Sequence, residues 1–309
     1  MGDFFLGLFS SVVLLVNQVV PLNSHPRFFS PVPENYVPRP QSPVANLLTL
    51  AQRRSANSEV LGKLISTSLA GTKGEYALVI KNFATGEKYA LNDHEPMNAA
   101  SLYKVWVMTA VYEKIKSGEL PEDKVLSAGI PELNRYFGLS DEEAGLTEGG
   151  ITLTVTQALN QMITISHNYA AMLLVKEIGG SGVIENLLDR YGLKESSFRG
   201  TPKTTAADMA LYFEKLYHNE LIDEGYSRKM KDLLSRNQLN EGLPKYLPGG
   251  VMISHKTGEL GTFKHDAGIV STPNEDYMII VMTNTWSAYG AEERTAQLSR
   301  DIYNYFDRP

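Results

Sequence analysis

Three short segments carry side chains that can act together on a carbonyl carbon: Ser101 with Lys104, Ser166 with Asn168, and Lys256-Thr257-Gly258. A serine hydroxyl is a weak nucleophile until a base takes its proton, and three positions along a helix put Lys104 on the same face as Ser101. Lys104 must be neutral to accept that proton, a state favoured by burial and by a second cation such as Lys256. Ser166 can relay a proton to a leaving nitrogen, and Asn168 can hold a substrate amide. If Ser101 opens a helix, its backbone N–H lacks a helical acceptor and can face an oxyanion. The second oxyanion donor is assigned to the backbone N–H of Glu259, with Gly258 leaving the strand edge open to substrate.

Each segment also has a plainer reading. Ser101 and Asn168 are good helix caps, Lys256 a solvated strand lysine, and Thr257-Gly258 an ordinary turn. Their order along the chain, with a change of hydrophobic period before the last one, favours the chemical reading.

The elements that must position these residues follow from periodicity. Apolar residues from Leu47 to Leu69 recur at helical spacing, then Tyr76–Ile80 and Lys88–Leu91 read as strands joined through Thr85-Gly86. Val105–Ile115 continues as a helix after Ser101. Five helices are expected over Thr154–Thr164, Asn168–Ile178, Gly182–Tyr191, Thr205–Leu216 and Tyr226–Leu234, forming an all-helical block. Strands return at Val251–His255, Asp266–Ser271 and Tyr277–Thr283, and Ala291–Phe306 closes the chain as a helix. The expectation is an α+β domain, with one antiparallel sheet built from both ends and a helical insertion between them.

The 309 residues, 43% of them hydrophobic, are ample for a sizeable core. A net charge of -6 without a dense basic run offers no face for nucleic acid, which is excluded as a partner. The six histidines lack zinc-ligand spacing and there is no cysteine, so neither a metal nor any other cofactor is expected. Residues 1–20, apolar from Phe4, read as a leader, either an export signal or an anchor, although the first residues hold Asp3 and no basic side chain. Seven of the 15 prolines fall between Pro21 and Pro43, which makes 21–43 an extended linker. The functional domain then covers 44–309. A membrane tether and an extracytoplasmic location follow as expectations, and with no heptad or exposed apolar repeat the protein is expected to be a monomer.

The three segments resemble the motifs of the penicillin-recognising serine enzymes, and most closely those of class A β-lactamases. Leu247-Pro248-Gly249-Gly250-Val251 leading into His255-Lys256-Thr257-Gly258-Glu259-Leu260 is similar to that family's last motif and its preceding loop. Thr204-Thr205-Ala206-Ala207-Asp208-Met209-Ala210 resembles the helix start after the family's omega loop, and Tyr136 falls where an aromatic residue flanks the substrate. The resemblance spans roughly Leu47 to Phe306. It implies a β-lactamase/transpeptidase-like fold with a five-stranded antiparallel sheet. It further implies that Ser101 is acylated, Lys104 serves as base or partner to it, Ser166 relays a proton, and Asn168 binds substrate. Lys256 and Thr257 would hold a substrate carboxylate, a use suited to a point-charge cation and a hydroxyl.

Two departures bear on turnover. The family's omega-loop Glu-x-x-Leu-Asn, whose glutamate activates the deacylating water, is missing: the chain runs from Tyr191 through Glu195 to Lys203 with Glu195 as the only carboxylate. His167 stands where the family usually has an acid. Three readings stay open. The first is β-lactam hydrolysis, with slow deacylation or with Lys104 activating water. The second is a cell-wall D,D-peptidase or esterase acting on a peptidoglycan-like amide, and the third a penicillin-binding sensor module without turnover.

Overall fold

Tyr277 to Met282 is an unbroken apolar run, a pattern that suits a strand covered on both faces. The computed structural model describes residues 59–307, and in it this run is the centre of a five-stranded antiparallel sheet. The strands are β1 (Glu75–Asn82), β2 (Lys88–Leu91), β7 (Met252–Leu260), β8 (Phe263–Ser271) and β9 (Asp276–Asn284), in the order β2-β1-β9-β8-β7. Side chains alternate across it: Tyr277, Ile279 and Val281 join Leu78 and Ile80 on one face, while Met278, Ile280 and Met282 join Ala77 and Val79 on the other.

The first face is covered by the helical residues 59–69 (α1) and by α9 (Ala288–Phe306), through Leu61, Ile65, Leu298 and Ile302. The second face meets the larger core, centred on α2 (Lys104–Lys116), whose Trp106 and Val107 are fully buried. Around α2 stand α4 (Val155–Thr164), α5 (Asn168–Glu177), α6 (Ser181–Tyr191), α7 (Ala206–Tyr217) and α8 (Glu224–Ser235), close to the spans expected from periodicity. Thr154 and Gln157 close a reciprocal capping box at the start of α4, and Thr205 caps α7.

The inserted subdomain is not purely helical. β4 (Val125–Gly129) and β5 (Gly150–Thr154) form an antiparallel ribbon, and α3 (Ile130–Phe137) follows β4 directly. These strands are five residues each and half exposed, so no long apolar run announces them. A smaller ribbon pairs β3 (Met97–Asn98) with β6 (Lys203–Thr204), tying the approach to Ser101 to the segment before α7. The expected leader, linker and the start of the first helix lie outside the described residues.

Candidate active site

Ser101 sits in a 3₁₀ turn, Ala100–Tyr103, and not at the N-terminus of the α-helix that follows. The reason is local. Asn98 Oδ1 accepts the Ala100 N–H at 2.8 Å and holds Ala100 at φ +43°, while the Leu102 N–H reaches back to Ala99 O at 2.9 Å. The Ala99 N–H donates to Pro202 O at 2.8 Å, which anchors the turn to the segment after α6. Ser101 is half-buried, with its N–H at the start of the turn, where amides lack helical acceptors.

Lys104 opens α2 and is fully buried. Its Nζ donates to Ser166 O at 2.5 Å, to Ser166 Oγ at 3.0 Å and to Asn168 Oδ1 at 2.7 Å. Ser166 occupies the link between α4 and α5 at φ +58°, a left-handed conformation costly for a residue with a Cβ. That turn aims both its carbonyl and its hydroxyl at Lys104. His167 then caps α5, its Nδ1 accepting the Ala170 N–H at 3.1 Å, and Asn168 is the first residue of the helix.

The third segment arrives on β7, the sheet's edge strand. Lys256 is fully buried, and its Nζ donates to Ser166 Oγ at 3.0 Å and to Thr257 O at 2.8 Å. The two-residue turn Gly261-Thr262 joins Leu260 to Phe263, so the β7–β8 ladder starts from a hydrogen-bonded pair and alternates from there. By that alternation Thr257 and Glu259 present their peptide groups to the open edge, as the outward carbonyls of His255, bonded by Asn237 Nδ2, and Thr257 confirm. The Glu259 N–H therefore faces the site, while its carboxylate pairs with Lys264 at 2.6 Å. Gly258 has a different reason from the one expected. A Cβ there would lie 3.3 Å from Ala100 Cβ, Ala99 O and His265 Cδ2, so the glycine lets β7 press against the turn that carries Ser101.

Burial drives the Lys104 amine well below the ordinary lysine range, and the neighbouring Lys256 charge adds to the effect. Burial also lowers Lys256, to about 7, with Asp266 opposing the shift. Burial disfavours the charged form of both lysines, and two adjacent buried ammonium groups also repel. The Ser166 hydroxyl lies within hydrogen-bonding distance of both amines.

Several supporting residues carry no sequence signal. His265 Nε2–H donates to Asn98 O at 2.8 Å and its Nδ1 accepts the Thr283 N–H at 3.1 Å, fixing the neutral tautomer under the Ser101 turn; burial lowers it to about 4. Behind Lys256, His255 Nδ1 and Asp266 Oδ1 form a buried pair at 2.7 Å, and Asp266 Oδ2 accepts the Leu243 N–H at 2.8 Å. These contacts join strands and loops far apart in the chain, which no spacing rule reports.

The expected Tyr136, and Glu195, the carboxylate of the shortened segment, have their contacts elsewhere. Tyr136, on α3, packs edge-on against Phe137 with Lys176 Nζ 5.9 Å from its ring, and no hydrogen bond joins it to the other candidates. Glu195 has both carboxylate oxygens engaged elsewhere, one with His94 Nδ1 at 2.8 Å and one with the Thr205 hydroxyl at 2.7 Å. Where the longer loop would run, Ser197 and Lys203 instead exchange backbone hydrogen bonds at 3.0 and 2.9 Å. The hairpin buries Phe198 against the Tyr103 ring at 5.3 Å and is pinned by the Glu185 carboxylate, which accepts the Phe198 N–H. Among the described residues no Asp or Glu bonds to Lys104, Ser166, Asn168 or Lys256, and none gather in a metal-binding group.

The family model described as the beta-lactamase enzyme family matches residues 60–306. The extended-spectrum beta-lactamase PER-1 of Pseudomonas aeruginosa is 21% identical over 282 residues, covering 81% of this chain and 89% of that protein. The solved structure of PBP-A has a TM-score of 0.71 at 23% identity, over 80% of this chain and 96% of that one. An acyl-enzyme complex of a PBP-A mutant with penicillin G has a TM-score of 0.69 at 22% identity, over 86% and 99%. At these identities the structural likeness is one of fold, and the fold is β-lactamase/transpeptidase-like.

Proposed function

The chain belongs to the beta-lactamase enzyme family, and from that premise we propose that it is a serine hydrolase that opens a β-lactam amide through an acyl-Ser101 intermediate. The single observation that carries this reading is the Ser166 hydroxyl held 3.0 Å from both Lys104 Nζ and Lys256 Nζ. Ser101 Oγ attacks the amide carbonyl while its proton passes to neutral Lys104. The oxyanion is met by the backbone N–H groups of Ser101 and Glu259. As the C–N bond breaks, the nitrogen takes the Ser166 proton and Lys104 refills Ser166, which returns both groups to their starting states. Asn168 holds the substrate amide, and Lys256 with Thr257 holds its carboxylate.

Release of the acyl group requires a water whose proton also goes to Lys104, since Glu195 is bound to His94 and Thr205. That engagement, with the short 197–203 hairpin, favours slow deacylation. It supports a second reading in which a cell-wall peptide is the natural substrate and a β-lactam a long-lived adduct. Both readings place the protein outside the cytoplasm.

Intact-mass analysis of the protein incubated with benzylpenicillin tests the proposal. A mass increase of one penicillin on the wild type and none on Ser101→Ala is expected. A decaying adduct with penicilloate accumulating supports hydrolysis, a persistent one the peptidase reading. An unlabelled wild type sinks β-lactam acylation.

A further inference from the structure

Acylation as proposed needs two backbone N–H groups to converge on one oxygen, and they belong to separate parts of the fold: Ser101 on the 3₁₀ turn and Glu259 on β7. The side chain that touches both parts is His265 of β8, which the mechanism leaves unused. It is buried, and it pairs across the β7–β8 ladder with Gly258, the residue before Glu259. Its Nε2–H donates to Asn98 O at 2.8 Å, and its Cδ2 comes within 3.3 Å of the place a Gly258 Cβ would take. A carbonyl only accepts, so this bond requires the proton on Nε2.

Asn98 is the residue that shapes the turn, since its Oδ1 accepts the Ala100 N–H and holds Ala100 at φ +43°. One imidazole therefore bonds the residue that bends the Ser101 turn and abuts the neighbour of the second donor. The β3–β6 pairing and the Ala99 N–H bond to Pro202 O tie the turn to the segment before α7; the bond to His265 ties it to the sheet. We propose that His265 is a positioning residue of the oxyanion hole: its Nε2–H sets the Ser101 turn at the distance from β7 at which the Ser101 and Glu259 N–H groups reach the same oxygen. Such donors must be held to within about 0.5 Å, and losing one costs on the order of 10²–10³-fold in rate.

The inference rests on the reading of Ser101 as nucleophile, which the wild-type benzylpenicillin adduct tests separately. With that adduct in hand, acylation is followed over a range of penicillin concentrations for wild type, His265→Met and His265→Gln. Methionine fills similar space without a donor, and glutamine returns an N–H at the place of Nε2. His265→Met should lower the saturating rate about 10²-fold and leave the half-saturating concentration within about twofold, while His265→Gln should recover at least about tenfold of the loss. Infrared difference spectra of the acyl-protein read the hole itself. The ester carbonyl band should lie at higher wavenumber in His265→Met than in wild type, because weaker donors leave the carbonyl less polarised. Leu298→Ala opens a cavity in the α9 core on the other face of the sheet, so it controls for lost stability and should change neither rate nor band. Equal rate losses in the two His265 variants, an unshifted band in His265→Met, or a loss in Leu298→Ala as large as that of His265→Met would overturn the proposal. Nitrogen-15 imidazole shifts of the wild type need no variant: a protonated His265 Nε2 is expected at about pH 7.5, and an unprotonated one overturns the proposal.

Discussion

Lys104 and Lys256 aim their amines at one oxygen, Ser166 Oγ, at 3.0 Å each. Among the described residues neither lysine has a carboxylate hydrogen bond, so the hydroxyl mediates between two buried amines that cannot both hold a positive charge comfortably.

Loss of that hydroxyl separates its chemical role from its backbone role. Ser166→Gly should lower the acylation rate by about 10²–10⁴-fold, the usual worth of a positioned proton-transfer group. The same change removes the Cβ from a residue at φ +58° and should stabilise the fold by about 1 kcal/mol. Ser166→Ala should lose the rate without the gain. Stopped-flow acylation and urea denaturation read the two effects, and an active Ser166→Gly protein would remove Ser166 from the relay.

Lys256 predicts an alkaline limit on substrate capture. Its value near 7 means that kcat/KM for a substrate with a carboxylate should fall about tenfold per unit above that pH, while an ester without the carboxylate shows no such limb. Folding stability should move the opposite way. The unfolded chain holds this proton up to the ordinary lysine value of 10.5, so between about 7 and 10.5 it binds more protons than the folded one and stability rises with pH. Comparing Lys256→Met with wild type by thermal melts at pH 6.5 and 9.5 should show a smaller rise in the variant.

Gly258→Ala places a methyl 3.3 Å from three atoms around the Ser101 turn. The expected cost in stability is about 1–3 kcal/mol from overpacking. The rate should suffer more, because displacing a nucleophile by about 1 Å costs on the order of 10²-fold. A variant acylated at the wild-type rate would show that the turn tolerates displacement.

Phe198→Ala should cost about 3–5 kcal/mol, since the fully buried ring leaves a void against Tyr103. The urea midpoint measures it. A shift below 1 kcal/mol would mean that the hairpin closes over the gap.

What the sequence revealed depends on distance along the chain. The long apolar runs of β1 and β9 and the helical periods of α2 and α4 to α8 are local, and they announce themselves. The order of Lys104, Ser166 and Lys256 along the chain pointed to one cluster, and both lysines do reach Ser166 Oγ. Hidden were features set by distant partners: the clamp of Pro202 on the 3₁₀ turn, the support of His265 beneath it, and the packing of Phe198 on Tyr103. The β4–β5 ribbon escaped for another reason, its strands being too short and too exposed to show a period. Tyr136 shows the converse, a residue placed at the site by analogy that the fold sets on α3 beside Lys176.

The bonds that assemble the site join residues 62, 64 and 90 positions apart. No local fragment of the chain can contain them, and such long-range pairings form late because loop closure must precede them. On the proposed reading of Ser101 as the nucleophile, a reagent that acylates it is therefore a chemical stain for completed folding. During refolding, the fraction of chains taking the label counts native molecules directly, and collapsed or half-assembled species stay dark.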